Sequence, residues 1–184
     1  MTLRVVPLAA NLRGRDLYRA IRTATQTVWR TQSMHLVHAS IQSNHIHLLV
    51  EAADEHLLSR GMQGFQISAA KHINRVLRRK GRVFADRYYA HVLRTKRETR
   101  NAVTYVLQNW RKHGGGSIAP LDPCSTAESF PGWREARWLT AVVELEPLRV
   151  WPAASWLLRN VGELSAFDRP RAVDQGAYFA TRPI

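Results

Sequence analysis

Apolar and polar positions alternate between two periods along the first 113 residues. Residues 2–6 are β-rich, and Pro7 closes them as a strand. Over residues 12–30, Leu17, Ile21, Ala24 and Val28 recur at helical spacing, with Asp16 and several arginines on the wet side. Residues 34–42 and 45–51 return to strand patterning, and Ser43-Asn44 between them predicts a hairpin turn. A helix over 57–79 carries Leu58, Met62, Phe65, Ala69, Ile73, Val76 and Leu77 as its buried stripe, with Gly81 in the position of a C-terminal cap. Residues 87–94 predict a strand and 98–113 a last helix. The order β-α-β-β-α-β-α predicts an α+β fold, a ferredoxin-like split βαβ with one added helix. Such a sheet is mostly antiparallel, with helices on one face and the other face free for a ligand or partner.

The pattern breaks at His113-Gly114-Gly115-Gly116-Ser117. Only Pro7 of the eight prolines precedes this point, while Trp133, Trp138, Trp151 and Trp156 follow it. The division predicts a domain over 1–113, a glycine hinge over 114–117 and an irregular Trp/Pro-rich appendage over 118–184. The 184 residues are 45% hydrophobic and 22% charged, enough for one core without staples. Cys124 is the only cysteine, which excludes a disulfide framework and every multi-cysteine zinc site. No apolar run approaches the ~20 residues of a membrane span, so the expected location is cytoplasmic.

Charge narrows the partner. The net charge is +13, and residues 1–116 hold 20 Lys/Arg against 6 Asp/Glu, whereas residues 117–184 hold 7 against 8. Residues 71–100 alone carry 11 basic and 2 acidic side chains. A field this uneven favours a polyanion, and nucleic acid is the expected one. Arg75, Arg78, Arg79, Lys80, Arg82, Arg87 and Lys112 are the candidate phosphate contacts, which would position DNA without reading its sequence.

Two segments carry candidate chemistry. On a strand, His45 and His47 of His45-Ile46-His47 point to one face about 7 Å apart at their backbones, close enough to chelate one metal, while Ile46 packs inward. His35 and His38 lie at odd spacing on the neighbouring strand, so they are expected to face opposite sides. His72 is expected to be structural or superficial. In the last helix Ala102, Val103, Val106, Leu107 and Trp110 form the core stripe. Asn101, Tyr105, Asn109 and Lys112 share the opposite face at spacings of four, four and three. At ~100° per residue Asn109 lies about 40° from Tyr105 on one side and Gln108 about 60° on the other, so the angle leaves either amide open as a partner of the histidines.

Gln42-Ser43-Asn44-His45-Ile46-His47-Leu48-Leu49-Val50 resembles the HUH motif of the single-tyrosine transposases, and the closest resemblance is to the REP-associated tyrosine transposases. Gly81-Arg82-Val83-Phe84-Ala85-Asp86-Arg87-Tyr88-Tyr89 is similar to that family's basic-aromatic stretch, and Tyr105-Val106-Leu107-Gln108-Asn109 to its nucleophile helix. The likeness covers residues 1–116 in the expected order, and Ser155-Trp156-Leu157-Leu158-Arg159 is also family-like; residues 160–184 carry no assignable pattern. The resemblance implies metal-dependent cutting and rejoining of single-stranded or hairpin DNA. Tyr105 would be the nucleophile, and His45, His47 and the amide of Asn109 would hold magnesium or manganese. It leaves monomer and homodimer equally open, and implies a nucleoid-associated cytoplasmic enzyme. A non-catalytic RNA- or DNA-hairpin-binding module on the same fold is the rival, although residues 2–6 and 45–51 lack the aromatics on which sheet-type RNA binders stack bases. A domesticated transposase acting on dispersed genomic hairpins would keep the chemistry and change its use.

Overall fold

The computed structural model of the chain describes residues 1–8, 10–88, 90–113, 120–135, 139, 145–167 and 178–181, with 112–113 and 178–181 described in their backbone alone. Strand β1 (Thr2–Arg4) leads to helix α1 (Arg15–Thr31), the hairpin β2 (His35–Ile41) and β3 (His45–Ala52), and helix α2 (Glu55–Val76). Strand β4 (His91–Val92), helix α3 (Lys96–Gln108), a 3₁₀ turn (Asn109–His113), a short helix α4 (Trp156–Arg159) and strand β5 (Tyr178–Thr181) complete the order. The fold is α+β. β1 and β2 flank β3, both antiparallel to it, in keeping with the expected antiparallel sheet.

β5 departs from that pattern. It runs parallel to β3 and to β4 and lies between them, following β1 along the same edge of β3: β1 pairs with residues 45–47 and β5 with 49–52. It falls in the stretch that carries no assignable pattern: the strand is four residues long, and Tyr178 and Phe179 pair on both sides, too short a run to show an alternation. The expected strand over 87–94 is correspondingly short, pairing only at His91–Val92. Residues 83–85 instead run beside β1, with Ala85 N–H donating to Arg4 O at 2.9 Å and Val6 N–H to Val83 O at 2.8 Å.

Local chemistry sets the helix ends. Asn11 Oδ1 accepts from Arg13 N–H, and this turn delays α1 until Arg15 although Leu12 is fully buried. Asp54 caps α2 by accepting from Leu57 N–H. α2 ends at Val76 rather than Arg79, because Arg78 adopts φ 49° and closes a Schellman motif, with Arg78 N–H on Arg75 O and Arg79 N–H on Asn74 O. The left-handed cap is therefore Arg78, and Gly81 (φ 98°) belongs to the following turn. Thr95 and Glu98 form a capping box that starts α3 two residues earlier than the pattern suggests. α3 gives way to 3₁₀ geometry at Asn109, where a single helix to residue 113 is expected from the pattern.

Both sheet faces are covered, which corrects the expectation of a free face. α1 and α2 bury Leu36, Ile46, Leu48, Val50, Met62, Phe65 and Ile73 on one side. On the other, α3 packs Ala102, Val103, Val106 and Leu107 with Val37 and Leu49 and with Phe130, Trp133, Leu158 and Leu164 from beyond the glycine run. Two buried carboxylates bind that C-terminal part to the rest: Asp122 pairs bidentately with Arg13 at 2.7 and 3.2 Å, and Glu51 on β3 accepts from the N–H groups of Ala154 and Ser155. The glycine hinge itself lies outside the described residues. No helix among the described residues is long and apolar enough to cross a membrane.

Two glycines of α2 respond oppositely to the same change. A Cβ on Gly61 would sit 2.5 Å from Met34 Cγ and 2.9 Å from its Cβ, whereas Gly64 has open space. Gly64→Ala should stabilise by about 0.5–1 kcal/mol through helix propensity. Gly61→Ala should destabilise by about 1–2 kcal/mol because overpacking outweighs that gain. Urea unfolding of the two variants checks the opposite signs.

Candidate active site

β3 alternates, so His45 and His47 leave the sheet on one side while Ile46 is fully buried on the other. The two Nε2 atoms lie 3.0 Å apart. Each ring is held from behind: Asn44 Oδ1 lies 2.8 Å from His45 Nδ1 and Thr2 Oγ1 lies 3.0 Å from His47 Nδ1. A carboxamide oxygen accepts, so His45 carries its proton on Nδ1 and turns the lone pair of Nε2 toward His47. The Thr2 hydroxyl can donate or accept, so His47 is free to place its proton on either nitrogen. One tautomer of His47 gives an Nε2–H to Nε2 hydrogen bond; the other aims two lone pairs at a common point.

α3 brings Tyr105 to this pair. Its ring is half-buried and meets the His47 ring edge-on, with centroids 5.0 Å apart and planes at 76°. Burial raises the phenol above its usual pKa, and the charge of Arg4 works against that rise. Thr2, Arg4, Asn44, His45, His47 and Tyr105 surround a cavity of about 330 Å³. Thr2 and Arg4 pair in register with His47 and His45. Thr2, Arg4 and Asn44 are the members that sequence reading misses. The alternation of residues 2–6 puts Thr2 and Arg4 on one face, but no local signal says that β3 is the neighbouring strand.

The amides separate. Gln108 Nε2 donates to Ser165 O at 2.5 Å, which ties α3 to the C-terminal segment, while its Oε1 is buried without a partner. Asn109 is 1% exposed, and neither Nδ2 nor Oδ1 has a hydrogen-bond partner. Among the described residues no third His, Cys, Asp or Glu joins the histidines as a metal-binding group. His35 and His38 lie on the neighbouring strand β2. A bulge between Leu36 and His38 shifts β2 by one residue, so His35 pairs with Glu51 and His38 with Leu49. Their partners are two apart, hence both face one side; the odd spacing misleads because it assumes a regular strand. His35 stacks on Trp151 at 4.2 Å, and His38 meets Phe130 edge-on.

The basic residues form an exposed turn. Arg75, Arg78, Lys80, Arg82 and Arg87 are exposed, whereas Arg79 folds back to donate to Arg82 O at 2.9 Å. The turn continues into residues 83–85 beside β1, next to the strand that carries Arg4. The side chain of Lys112 and all of Tyr89 lie outside the described residues.

The family model of IS200-like transposases matches residues 10–109. The chain belongs to this family. It is therefore a transposase, one of a family of DNA-cleaving enzymes that generally use a divalent metal. No curated protein and no solved structure matches the transposase. The matched span contains the histidine pair, Tyr105 and Asn109, and excludes Thr2 and Arg4.

His38 gives the transposase a pH-dependent weakness away from this cavity. Burial pushes its pKa down to about 4. The unfolded chain binds a proton near pH 6.5, so stability is full above that value and is lost as pH falls toward 4. The shift sets a ceiling of ~3 kcal/mol. Because His38 also borders a second cavity of about 610 Å³, we expect roughly half of that. Urea melts at pH 7 and pH 4.5 should show His38→Asn losing less stability than the wild type by this amount.

Proposed function

We propose that the transposase cuts and rejoins single-stranded or hairpin DNA through a covalent bond to Tyr105, in the manner of the REP-associated branch. The observation that carries this reading is the Tyr105 ring against His47 at the mouth of one cavity. The phenolic oxygen attacks phosphorus and the bond from phosphorus to the 3′ oxygen breaks. A 5′-phosphotyrosine and a free 3′-hydroxyl result, the phenol proton going to solvent and the leaving oxygen taking one up. The diester bond is conserved, so rejoining is the same step in reverse and needs no nucleotide cofactor.

His45, His47 and Asn109 would hold magnesium or manganese. The donor set suits such an ion: two Nε2 atoms 3.0 Å apart match neighbouring ligands of one metal, and the buried Asn109 amide supplies an oxygen that nothing else uses. The bound ion would polarise the scissile phosphate. Thr2 and Asn44 fix the ring orientations behind the converging Nε2 atoms. Arg75, Arg78, Arg79, Lys80, Arg82, Arg87 and Lys112 would follow the DNA backbone, which favours single strands whose phosphates can bend into the cavity.

The test is incubation of the full chain with labelled hairpin oligonucleotides carrying a randomised single-stranded segment, in manganese. A labelled protein band that survives denaturing electrophoresis is expected, and the captured sequences define the cut site. Retention of DNA on the native protein with no covalent band would establish the hairpin-binding module instead.

A further inference from the structure

Arg4 is the one cation on the walls of the Tyr105 cavity among the described residues. Its place follows from pairing. Arg4 stands directly opposite His45 in the antiparallel ladder, and partners so paired have side chains on the same face about 5 Å apart. Thr2, two residues before it, stands opposite His47 and reaches that ring, which fixes the direction of the alternation. The Arg4 side chain is exposed, so its head stands at the rim while its strand forms the wall. Its charge is felt by the Tyr105 phenol. The described walls carry a guanidinium, two imidazoles, a phenol, an amide and a hydroxyl, and no carboxylate. They suit an anion, and a guanidinium fork matches the two free oxygens of a phosphodiester.

We infer that Arg4 grips a non-bridging oxygen of the phosphate that Tyr105 attacks. The inference rests on the reaction proposed above and adds a catalytic residue to it. Charge on those oxygens rises as the phenol oxygen approaches, so a cation held on the strand beside the imidazoles stabilises the transition state more than the bound ground state. Arg4 would then act mainly on the rate of cutting. The distributed contacts of the basic turn would carry most of the affinity.

The test uses the full chain and the oligonucleotide defined by covalent capture, in single turnover with saturating protein. Arg4→Gln should slow adduct formation by about 10²- to 10³-fold while DNA affinity falls less than about tenfold, and Arg4→Lys should recover part of the rate. Manganese affinity and thermal stability should match the wild type, because the side chain is exposed. A methylphosphonate at the scissile position removes the charge that Arg4 would meet. With it, the ratio of wild-type to Arg4→Gln rates should collapse toward one in at least one stereoisomer. A wild-type rate in Arg4→Gln, or an unchanged ratio on both methylphosphonate isomers, overturns the role of Arg4 and leaves Tyr105 standing. Adduct formation by Tyr105→Phe, or none by the wild type, overturns the reaction and the role of Arg4 with it.

Discussion

Tyr105→Phe should form no covalent adduct while folding and binding DNA as the wild type does. The substitution removes one oxygen from a half-buried ring and keeps the edge-on contact with His47, so neither the packing of α3 nor the basic turn changes. What the substitution removes is the proposed nucleophile. Tyr88 is the described rival, and it packs against the core on the α1/α2 side of the sheet. Denaturing electrophoresis after incubation with hairpin DNA reads the result. An adduct that persists in Tyr105→Phe and vanishes in Tyr88→Phe or Tyr89→Phe would move the nucleophile.

The second large effect concerns the histidine pair. His45→Ala and His47→Ala should each abolish metal-dependent cutting, whereas His35→Ala and His72→Ala should not. Each Nε2 supplies half of the converging pair, and losing a ligand should weaken manganese by more than the 10- to 100-fold typical of losing a residue behind a ligand. Thr2→Val, which removes the hydroxyl behind His47, should fall in that milder range. Asn109→Ala should weaken manganese and be partly rescued by excess metal. Gln108→Ala should leave metal affinity alone and lower stability instead, since its amide holds Ser165. Manganese titration followed by electron paramagnetic resonance separates these outcomes. Unchanged affinity in Asn109→Ala with a loss in Gln108→Ala would exchange the two roles.

The parts of this site legible in the sequence are those governed by local parity. His45 and His47 on one face, Ile46 inward, and Tyr105 opposite the core stripe of its helix all follow from periods of 2 and 3.6. What escapes depends on neighbours that periodicity does not name. The bulge at Val37 reverses the parity of His35 against His38 without any residue that announces it. Arg78 takes a left-handed cap normally left to glycine, although Gly81 waits three residues on. The apolar residues beyond position 117 read as an appendage because prolines break their periodicity, yet Phe130, Trp133, Leu158 and Leu164 cover the second sheet face. Arg4 is the clearest case: its value comes from pairing with His45, a contact across 41 positions of sequence.

β5 sets an order of assembly. The hairpin of β2 and β3 closes over a two-residue turn and forms as soon as the chain supplies it. β4, which leads directly into the tyrosine helix, has its sheet pairing with β5, and β5 is joined to β3 by the contact of greatest sequence separation in the sheet, Leu49 with Tyr178. Among the described residues, 178–181 emerge from the ribosome after the other strands. The histidine pair thus sits on a hairpin local in sequence, and β4 joins this sheet through the strand that comes latest among the described residues.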